Sequence, residues 1–86
     1  MRAVEEELIN VAAKVENAEQ TIEPIRQNLA RTGQALSADI SSATIRMRGQ
    51  LEKAKRDARA GNFAGARESL SIADALANKV LKSVGR

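Results

Sequence analysis

The spacing of apolar residues constrains the fold of this chain more than any other feature of its sequence. Steps of three and four residues separate the apolar or small positions in three successive segments, and such steps place the members of a set on one side of an α-helix. The sets are Val4, Leu8, Val11, Val15, Ala18, Ile22, Ile25 and Leu29; then Ile40, Thr44, Met47, Leu51, Ala54 and Ala58; then Phe63, Ala66, Leu70, Ala73, Ala77, Val80 and Val84. This repeat is typical of helices that pack as in coiled coils. The sequence has no segment with the period-two alternation of a β-strand.

Two turns separate the three helices. Gly61 can adopt the left-handed conformation that ends a helix, and Asn62 can cap the next helix. Gly33 ends the first segment, and Ser37 is a plausible N-cap with Asp39 in the first turn, where the helix dipole favours an anion. We therefore predict an all-α fold, an antiparallel three-helix bundle with coiled-coil-like packing in a single domain of residues 1–86. The predicted helices are residues 3–32, 37–60 and 63–83.

Pro24 is a rival boundary inside the first helix. It has no amide hydrogen, and its ring would clash with the carbonyl of Gln20 in a continuous helix. However, Ile22 and Ile25 keep the apolar spacing across it. We expect a kink at Pro24 rather than a stop, although Thr21 could cap a helix that restarts there.

The distribution of charge favours a chain reversal near Gly33. Residues 1–23 contain six glutamates and two basic residues, a net charge of −4, whereas residues 46–60 contain six basic and two acidic residues, a net charge of +4. A reversal brings these segments side by side, and opposite charges help to select orientation and register. The residues expected to meet are Glu16 and Glu19 with Arg48, Lys53 and Lys55. An antiparallel dimer could supply the same pairing between two chains.

The N-terminal end of the first helix is the first candidate site. This helix is predicted to outreach the other two by one to two turns, so we expect its N-terminal end to protrude. Such an end would bind a second copy, giving a homodimer, or another protein. The candidate protein-interaction residues are Val4, Leu8 and Val11.

A basic stripe on the second helix is the alternative site. A pI near 9.8 and a run of arginine and lysine are typical of a surface that follows phosphates. Against nucleic-acid binding stand a net charge of only +3, the lack of tryptophan and tyrosine to stack on bases, and a neighbouring acidic helix. The candidate phosphate-contacting residues are Arg46, Lys53, Arg56 and Arg59.

Composition argues against catalysis. The chain has no histidine and no cysteine, so the commonest general base, the thiol nucleophile and the commonest transition-metal ligands are missing. The carboxylates Glu16, Glu19 and Glu23 share one helical flank, but they lack the enclosing cage that a divalent cation needs. We read them as a solvated or salt-bridged face. We predict no enzymatic activity, no cofactor and no metal.

Membrane association of this segment is not expected. No run approaches the roughly 18 apolar residues of a membrane span. Three consecutive glutamates, residues 5–7, stand where a signal peptide needs an apolar run. The basic face also lacks the bulky apolar side of an interfacial helix. Localisation stays open, because the chain could be a fragment of a longer secreted or lipid-anchored protein.

Residues 51–77 resemble the helical hairpin of a tetratricopeptide repeat. The matching positions are Gly61, Asn62, Phe63, Ala66, Leu70 and Ala73. Lys53 and Asp57 stand where that repeat has large apolar residues, and no second copy follows, whereas a solenoid needs about three stacked units. We therefore interpret Gly61 and Asn62 as the corner of a bundle.

Residues 18–83 resemble the C-terminal helical domains of uncharacterised bacterial cell-envelope proteins and lipoproteins, chiefly acidobacterial. The matching positions are Gly33, Leu36, Ser37, Ile45, Arg46, Ala54, Ala58, Gly61, Asn62, Ala66, Ala73 and Leu76. The resemblance implies a helical fold and a setting in the periplasm or cell envelope, and it implies no activity. We expect a non-catalytic helical interaction or spacer domain of a bacterial protein, with weak nucleic-acid binding as the alternative.

Overall fold

The computed structural model describes residues 2–84, which form three α-helices and no strand. Helix α1 is Arg2–Arg31, helix α2 is Ala38–Arg59 and helix α3 is Phe63–Val84. Every predicted boundary is confirmed to within one residue. The helices form the predicted three-helix bundle, which measures 47 × 19 × 15 Å.

The two glycines end α1 and α2 with the same geometry. Gly33 and Gly61 have φ values of +75° and +81°, a region that residues with a Cβ rarely adopt. In both turns the amide that follows the glycine donates to the carbonyl five residues earlier, at 2.8 Å. This is the Schellman motif, which satisfies carbonyls that the end of a helix leaves without a partner. Both predicted turns are confirmed.

Side chains cap the start of the next two helices, as predicted. The hydroxyl of Ser37 accepts a hydrogen bond from the amide of Ile40 at 3.2 Å. The side-chain oxygen of Asn62 accepts one from the amide of Gly65 at 3.1 Å. Each cap satisfies an amide that would otherwise lack an acceptor inside the helix.

Pro24 lies inside α1, which continues through it without a break. The side chain of Pro24 is exposed, so the ring lies on the outer surface of the bundle. The restart at Thr21 is therefore wrong, and the kink at Pro24 stays a prediction.

The core is built around α3, which packs against both other helices, while α1 and α2 touch each other least. Ser69 and Leu76 of α3 and Ala43 of α2 are buried in addition to the predicted positions. Ser69 and Leu76 widen the buried face of α3, because α3 packs against two neighbouring helices. The buried core cluster is Val15, Ala18, Ile22, Ala43, Met47, Leu51, Ala54, Leu70, Ala73, Leu76, Ala77 and Val80.

The predicted protrusion of the N-terminal end of α1 is wrong. Val4 is only 1% exposed, and Leu8 and Val11 pack against the core. The extra length of α1, about 12 Å over the other helices, lies at its other end, since residues 24–31 include no buried residue.

Two ion pairs between α1 and α3 show how the two helices are placed. Glu7 pairs with Arg67 at 3.1 Å and Lys14 with Asp74 at 2.7 Å. Each pair joins residues 60 positions apart, so the two helices run parallel with their N-terminal ends level. Val84, the last residue of α3, then lies opposite Pro24, and the rest of α1 extends beyond it. In the described part of the chain, no helix is both long and apolar enough to cross a membrane.

Candidate protein-interaction face

The surface between α1 and α2 is the side of the bundle where two helices touch each other least. We call it the α1/α2 face. Because α1 and α2 are held mainly through α3, they leave a groove between them at each end of the face. The loop-end groove lies near the loop of residues 32–37, and the corner-end groove lies near Gly61.

The loop-end groove has a volume of about 380 Å³. Ile22 is buried at its base, Leu36 and Thr44 are half-buried, and Ile45 is 73% exposed at its edge. Its lining residues are Glu19, Ile22, Glu23, Arg26, Leu36, Ser41, Thr44 and Ile45. An apolar base and an exposed isoleucine are features of a binding surface, because removing their apolar area from water favours association with a partner.

One charged pair at the edge of the loop-end groove is neutralised within α1. The guanidinium of Arg26 donates to the carboxylate of Glu23, at 3.1 Å from its Nε atom. This hydrogen bond is the main reason that the pKa of Glu23 lies below its ordinary value. Glu23 therefore stays ionised and is engaged by its own helix.

The corner-end groove has a volume of about 490 Å³. Val4 is buried at its base, while Leu8, Ala58 and Phe63 are half-buried. Its lining residues are Val4, Glu5, Leu8, Lys55, Ala58, Arg59 and Phe63. Among residues 2–84, neither Glu5 nor Arg59 forms an ion pair, although they stand on opposite sides of this groove.

A polar network separates the two grooves. Arg48 of α2 donates from Nε to Glu19 of α1 at 2.9 Å, donates to the same carboxylate through a terminal nitrogen, and donates to Glu52 at 3.1 Å. Lys55 also binds Glu52, at 3.3 Å. The hydrogen bond to Glu19 is the main cause that raises the pKa of Arg48. The hydrogen bond from Arg48 is likewise the main cause that lowers the pKa of Glu52.

This network tests the predicted pairing of the acidic and basic segments. The contact between Glu19 and Arg48 is as predicted. Lys53 instead binds Asp57 at 2.9 Å, and Lys55 binds Glu52, both within α2. Glu16 is exposed and forms no ion pair among the described residues. Neighbours one helical turn away therefore compete with α1 for these lysines.

The structure brings two of the three predicted protein-interaction residues into one groove. Val4 and Leu8 line the corner-end groove. Val11 instead lies between α1 and α3, in a shallow depression that Leu70 also lines. These residues therefore line depressions between the helices of the bundle and do not form a protruding end.

The predicted phosphate-contacting residues differ in whether a carboxylate binds them. Lys53 is bound by Asp57 and lies 3.5 Å from the hydroxyl of the buried Ser69. Arg46, Arg56 and Arg59 are exposed, and no carboxylate within residues 2–84 pairs with them. Among the described basic residues from Arg46 to Arg59, Arg48 alone pairs with the acidic helix α1, so that helix does not neutralise the whole stripe.

Sequence reasoning missed the loop-end groove. Ile45 follows Thr44, which is part of the second apolar set, so Ile45 lies beside the buried stripe rather than within it. A large apolar residue off the stripe of an amphipathic helix is the signal that could have marked it. Leu36 precedes the cap residue Ser37, and only the folded loop shows that it turns toward Ile22.

The described residues offer no cluster of histidine, cysteine or carboxylate side chains that could hold a metal ion. Of the three carboxylates on one flank of α1, Glu19 binds Arg48 and Glu23 binds Arg26. Comparison of the chain with protein-family models, with curated proteins and with solved structures found no match. The implied cell-envelope setting and the resemblance to a tetratricopeptide hairpin therefore stay predictions.

Proposed function

We propose that this chain is a non-catalytic helical module that binds a protein through the α1/α2 face. One observation carries the proposal: two grooves with apolar bases open along the same face, and Ile45 stands 73% exposed beside one of them. Covering an isoleucine side chain fully contributes about 1.5–3 kcal/mol. A surface of this shape accepts an amphipathic helix, whose apolar side fills such grooves.

The separation of the grooves sets the length of that helix. Leu8 lines one groove and Ile22 the other, and 14 residues of α-helix span about 21 Å. A partner helix of about four turns reaches both grooves. Its middle would lie over the network of Arg48, Glu19 and Glu52, so polar residues are expected there.

Site-specific photo-crosslinking in the source cell tests the proposal. A photoreactive amino acid replaces Ile45 in one variant and Ile72 in the other. Ile72 is the control, because it is 36% exposed on α3 and lines neither groove. We expect a discrete crosslinked protein from position 45 and none from position 72.

Binding of the crosslinked protein is then measured by calorimetry with purified components. Ile45→Asp is expected to weaken binding at least about tenfold, because the carboxylate would lose its water when the partner covers it. Ile72→Asp is expected to leave the affinity unchanged. Equal effects of the two substitutions, or equal crosslinking from the two positions, would contradict the proposal.

Nucleic-acid binding is the second candidate function. It is favoured by the exposed Arg46, Arg56 and Arg59, which have no carboxylate partner in the described part of the chain. Three phosphate contacts predict that affinity falls roughly 40-fold between 50 and 200 mM salt. Fluorescence anisotropy with mixed-sequence DNA and RNA measures this. Binding that is absent at the lower salt concentration, or unchanged when all three arginines are replaced by glutamine, would rule this candidate out.

The cell-envelope setting belongs to the same proposal. It is supported by the resemblance of residues 18–83 to bacterial envelope domains. Fractionation of the source cells, with antibody detection of the protein at its natural level, tests it. Recovery in the cytoplasmic fraction alone would contradict the setting and would leave the binding face untouched.

A further inference from the structure

We propose that the protein bound by the α1/α2 face is a second copy of this chain, in a two-fold symmetric dimer whose axis runs parallel to the helices. The inference rests on the proposed function, since it names the partner for the same face. Three features carry it: the charges on α1 and α2, the heights of the two grooves, and the area of the face.

The exposed charges of α1 and α2 are complementary. Glu5, Glu6 and Glu16 of α1 are exposed, and so are Arg56 and Arg59 of α2. None of them forms an ion pair among residues 2–84. Each copy therefore carries an acidic flank and a basic flank, and a second copy supplies the opposite charge to both.

Symmetry decides how these flanks meet. In an isologous dimer each copy contributes the same surface. A two-fold axis in the interface and parallel to the helices places α1 of one copy over α2 of the other, and it keeps every residue at its own height along the bundle. Glu5 and Arg59 line the same groove, so they are at one height. Glu5 of each copy then faces Arg59 of the other, and the dimer contains this pair twice.

The same operation brings each exposed isoleucine over a groove. Ile45 stands at the edge of the loop-end groove, which is at the same height in both copies. In the dimer, Ile45 of each copy lies over α1 of the other, beside Ile22 and Leu36. Both isoleucines thereby lose contact with water, and two grooves are covered at once.

The alternative axis lies in the interface but runs perpendicular to the helices. It places α1 over α1 and α2 over α2 with their heights reversed, so that Glu5 of one copy does not meet Arg59 of the other. Only the parallel axis pairs these two opposite charges. Charge therefore selects the parallel axis.

The face is large enough for a dimer. The bundle measures 47 Å along the helices and at most 19 Å across, which gives each copy a face of roughly 900 Å², whereas a standard interface buries about 800 Å² per partner. Almost the whole α1/α2 face must therefore take part. A single damaging substitution within it should have a large effect.

Analytical ultracentrifugation of the full chain tests self-association. We expect the weight-average mass to rise from 9.2 kDa toward twice that value as the concentration approaches about 1 mM. Ile45→Asp should weaken the dimer at least about tenfold, with helical content and melting temperature unchanged. Ile72→Asp should dimerise as the natural chain does, because Ile72 is exposed on α3 and lines neither groove.

A charge exchange tests the predicted pair. Glu5→Arg and Arg59→Glu should each weaken the dimer, and the double variant should restore it because both pairs are reversed together. Glu68→Arg and Lys82→Glu are matched controls, since they change charge by the same amount but are exposed on α3 and line neither groove. If the double variant is no tighter than the single variants, or if its control pair recovers equally, the predicted arrangement is wrong.

Spin labels test the direction of the axis without relying on substitution of the interface. The chain has no cysteine, so Ala35→Cys and Ala64→Cys each carry one label, at opposite ends of the bundle. A parallel axis keeps both label-to-label distances well below the 47 Å length. A perpendicular axis makes at least one of them comparable with that length, which would overturn the arrangement.

The remaining outcomes separate the two proposals. A chain that stays monomeric to about 1 mM overturns the dimer. If position 45 then crosslinks to a different protein in the cell, the proposed function stands with another partner. If the sedimentation coefficient increases only after nucleic acid is added, the dimer is also overturned, and nucleic-acid binding by the basic stripe of α2 is favoured instead.

Discussion

Substitution of two glycines by alanine gives a quantitative test of the corner between α2 and α3. Gly49 lies in the middle of α2, and a Cβ added there meets no atom within 4 Å. Gly65 lies in the first turn of α3, and its added Cβ would lie 2.5 Å from Nδ2 of Asn62 and 3.0 Å from Oδ2 of Asp57. The two substitutions are chemically identical, but only the second disturbs a cap.

The free energies follow from this difference. Alanine is more favourable than glycine inside a helix by about 0.8–1.0 kcal/mol, so Gly49→Ala should stabilise the protein by about that amount. Gly65→Ala forces Asn62 to turn away and to release the amide of residue 65. Losing such a cap costs about 1 kcal/mol, within a range of 0.5–2. The net change for Gly65→Ala is therefore about zero or destabilising.

Urea denaturation followed by far-ultraviolet circular dichroism measures both changes. In thermal denaturation, 1 kcal/mol corresponds to a shift of about 4–8 °C for a domain of this size. The decisive comparison uses Asn62→Ala as a second background. With no capping side chain to displace, Gly65→Ala should stabilise that variant by nearly as much as Gly49→Ala stabilises the natural chain.

The expected interaction energy between residues 62 and 65 is thus about 1 kcal/mol. Our account of the corner would be refuted if Gly65→Ala stabilised the natural chain as much as Gly49→Ala does. It would also be refuted if the effect of Gly65→Ala were the same with and without Asn62.

Two further predictions concern the core and the acid response. Met47 is 0% exposed, so Met47→Ala should lower the free energy of unfolding by about 2–5 kcal/mol in urea denaturation. Ile9→Ala, at an exposed position, should change it by no more than about 0.5 kcal/mol. Similar losses from the two substitutions would contradict the assigned core. The pKa of Glu52 lies below its ordinary value of 4.5, foremost because Arg48 donates to it. Near and below pH 4.5, Glu52 therefore binds more protons in the unfolded chain than in the folded chain. The free energy of unfolding decreases as the pH falls through this range. Glu52→Gln should reduce this loss, and an unchanged pH dependence of unfolding would count against the network.

Local chemistry made the helices and turns predictable. Gly33, Gly61, Ser37 and Asn62 act through neighbours within five residues, so their roles can be derived without the folded structure. The apolar sets likewise identify the helical side that becomes buried. Residues in the middle of each set, such as Met47 and Leu70, are buried as predicted, because their neighbours surround them in any register of the bundle.

The relative placement of the helices was not predictable in the same way. Which end of α1 extends beyond the bundle depends on its register against α3, which is visible in the pairs of Glu7 with Arg67 and Lys14 with Asp74. The sequence offered several competing carboxylates and basic residues for such pairs. Lys53, for example, binds Asp57 one turn away instead of the glutamates of α1.

The candidate face was only partly predictable. Val4 and Leu8 were identified, but as a protruding end, whereas they line a groove. The openness between α1 and α2 depends on how α3 holds them apart, and no local pattern encodes that geometry. For the arginines, the sequence shows the positive charge of the stripe but not which members find a carboxylate.

Asn62 belongs to two helices at once. Its amide donates to Asp57 at the end of α2, while its side-chain oxygen accepts from Gly65 at the start of α3. Fraying of either helix end therefore disturbs the other, so these helices should open and close as one cooperative unit. The other connection uses Gly33 to end α1 and Ser37 to begin α2, with three residues between them. Helix α1 shares no such capping residue with α2, so we expect amide exchange in α1 to be less tightly coupled to that in the other two helices.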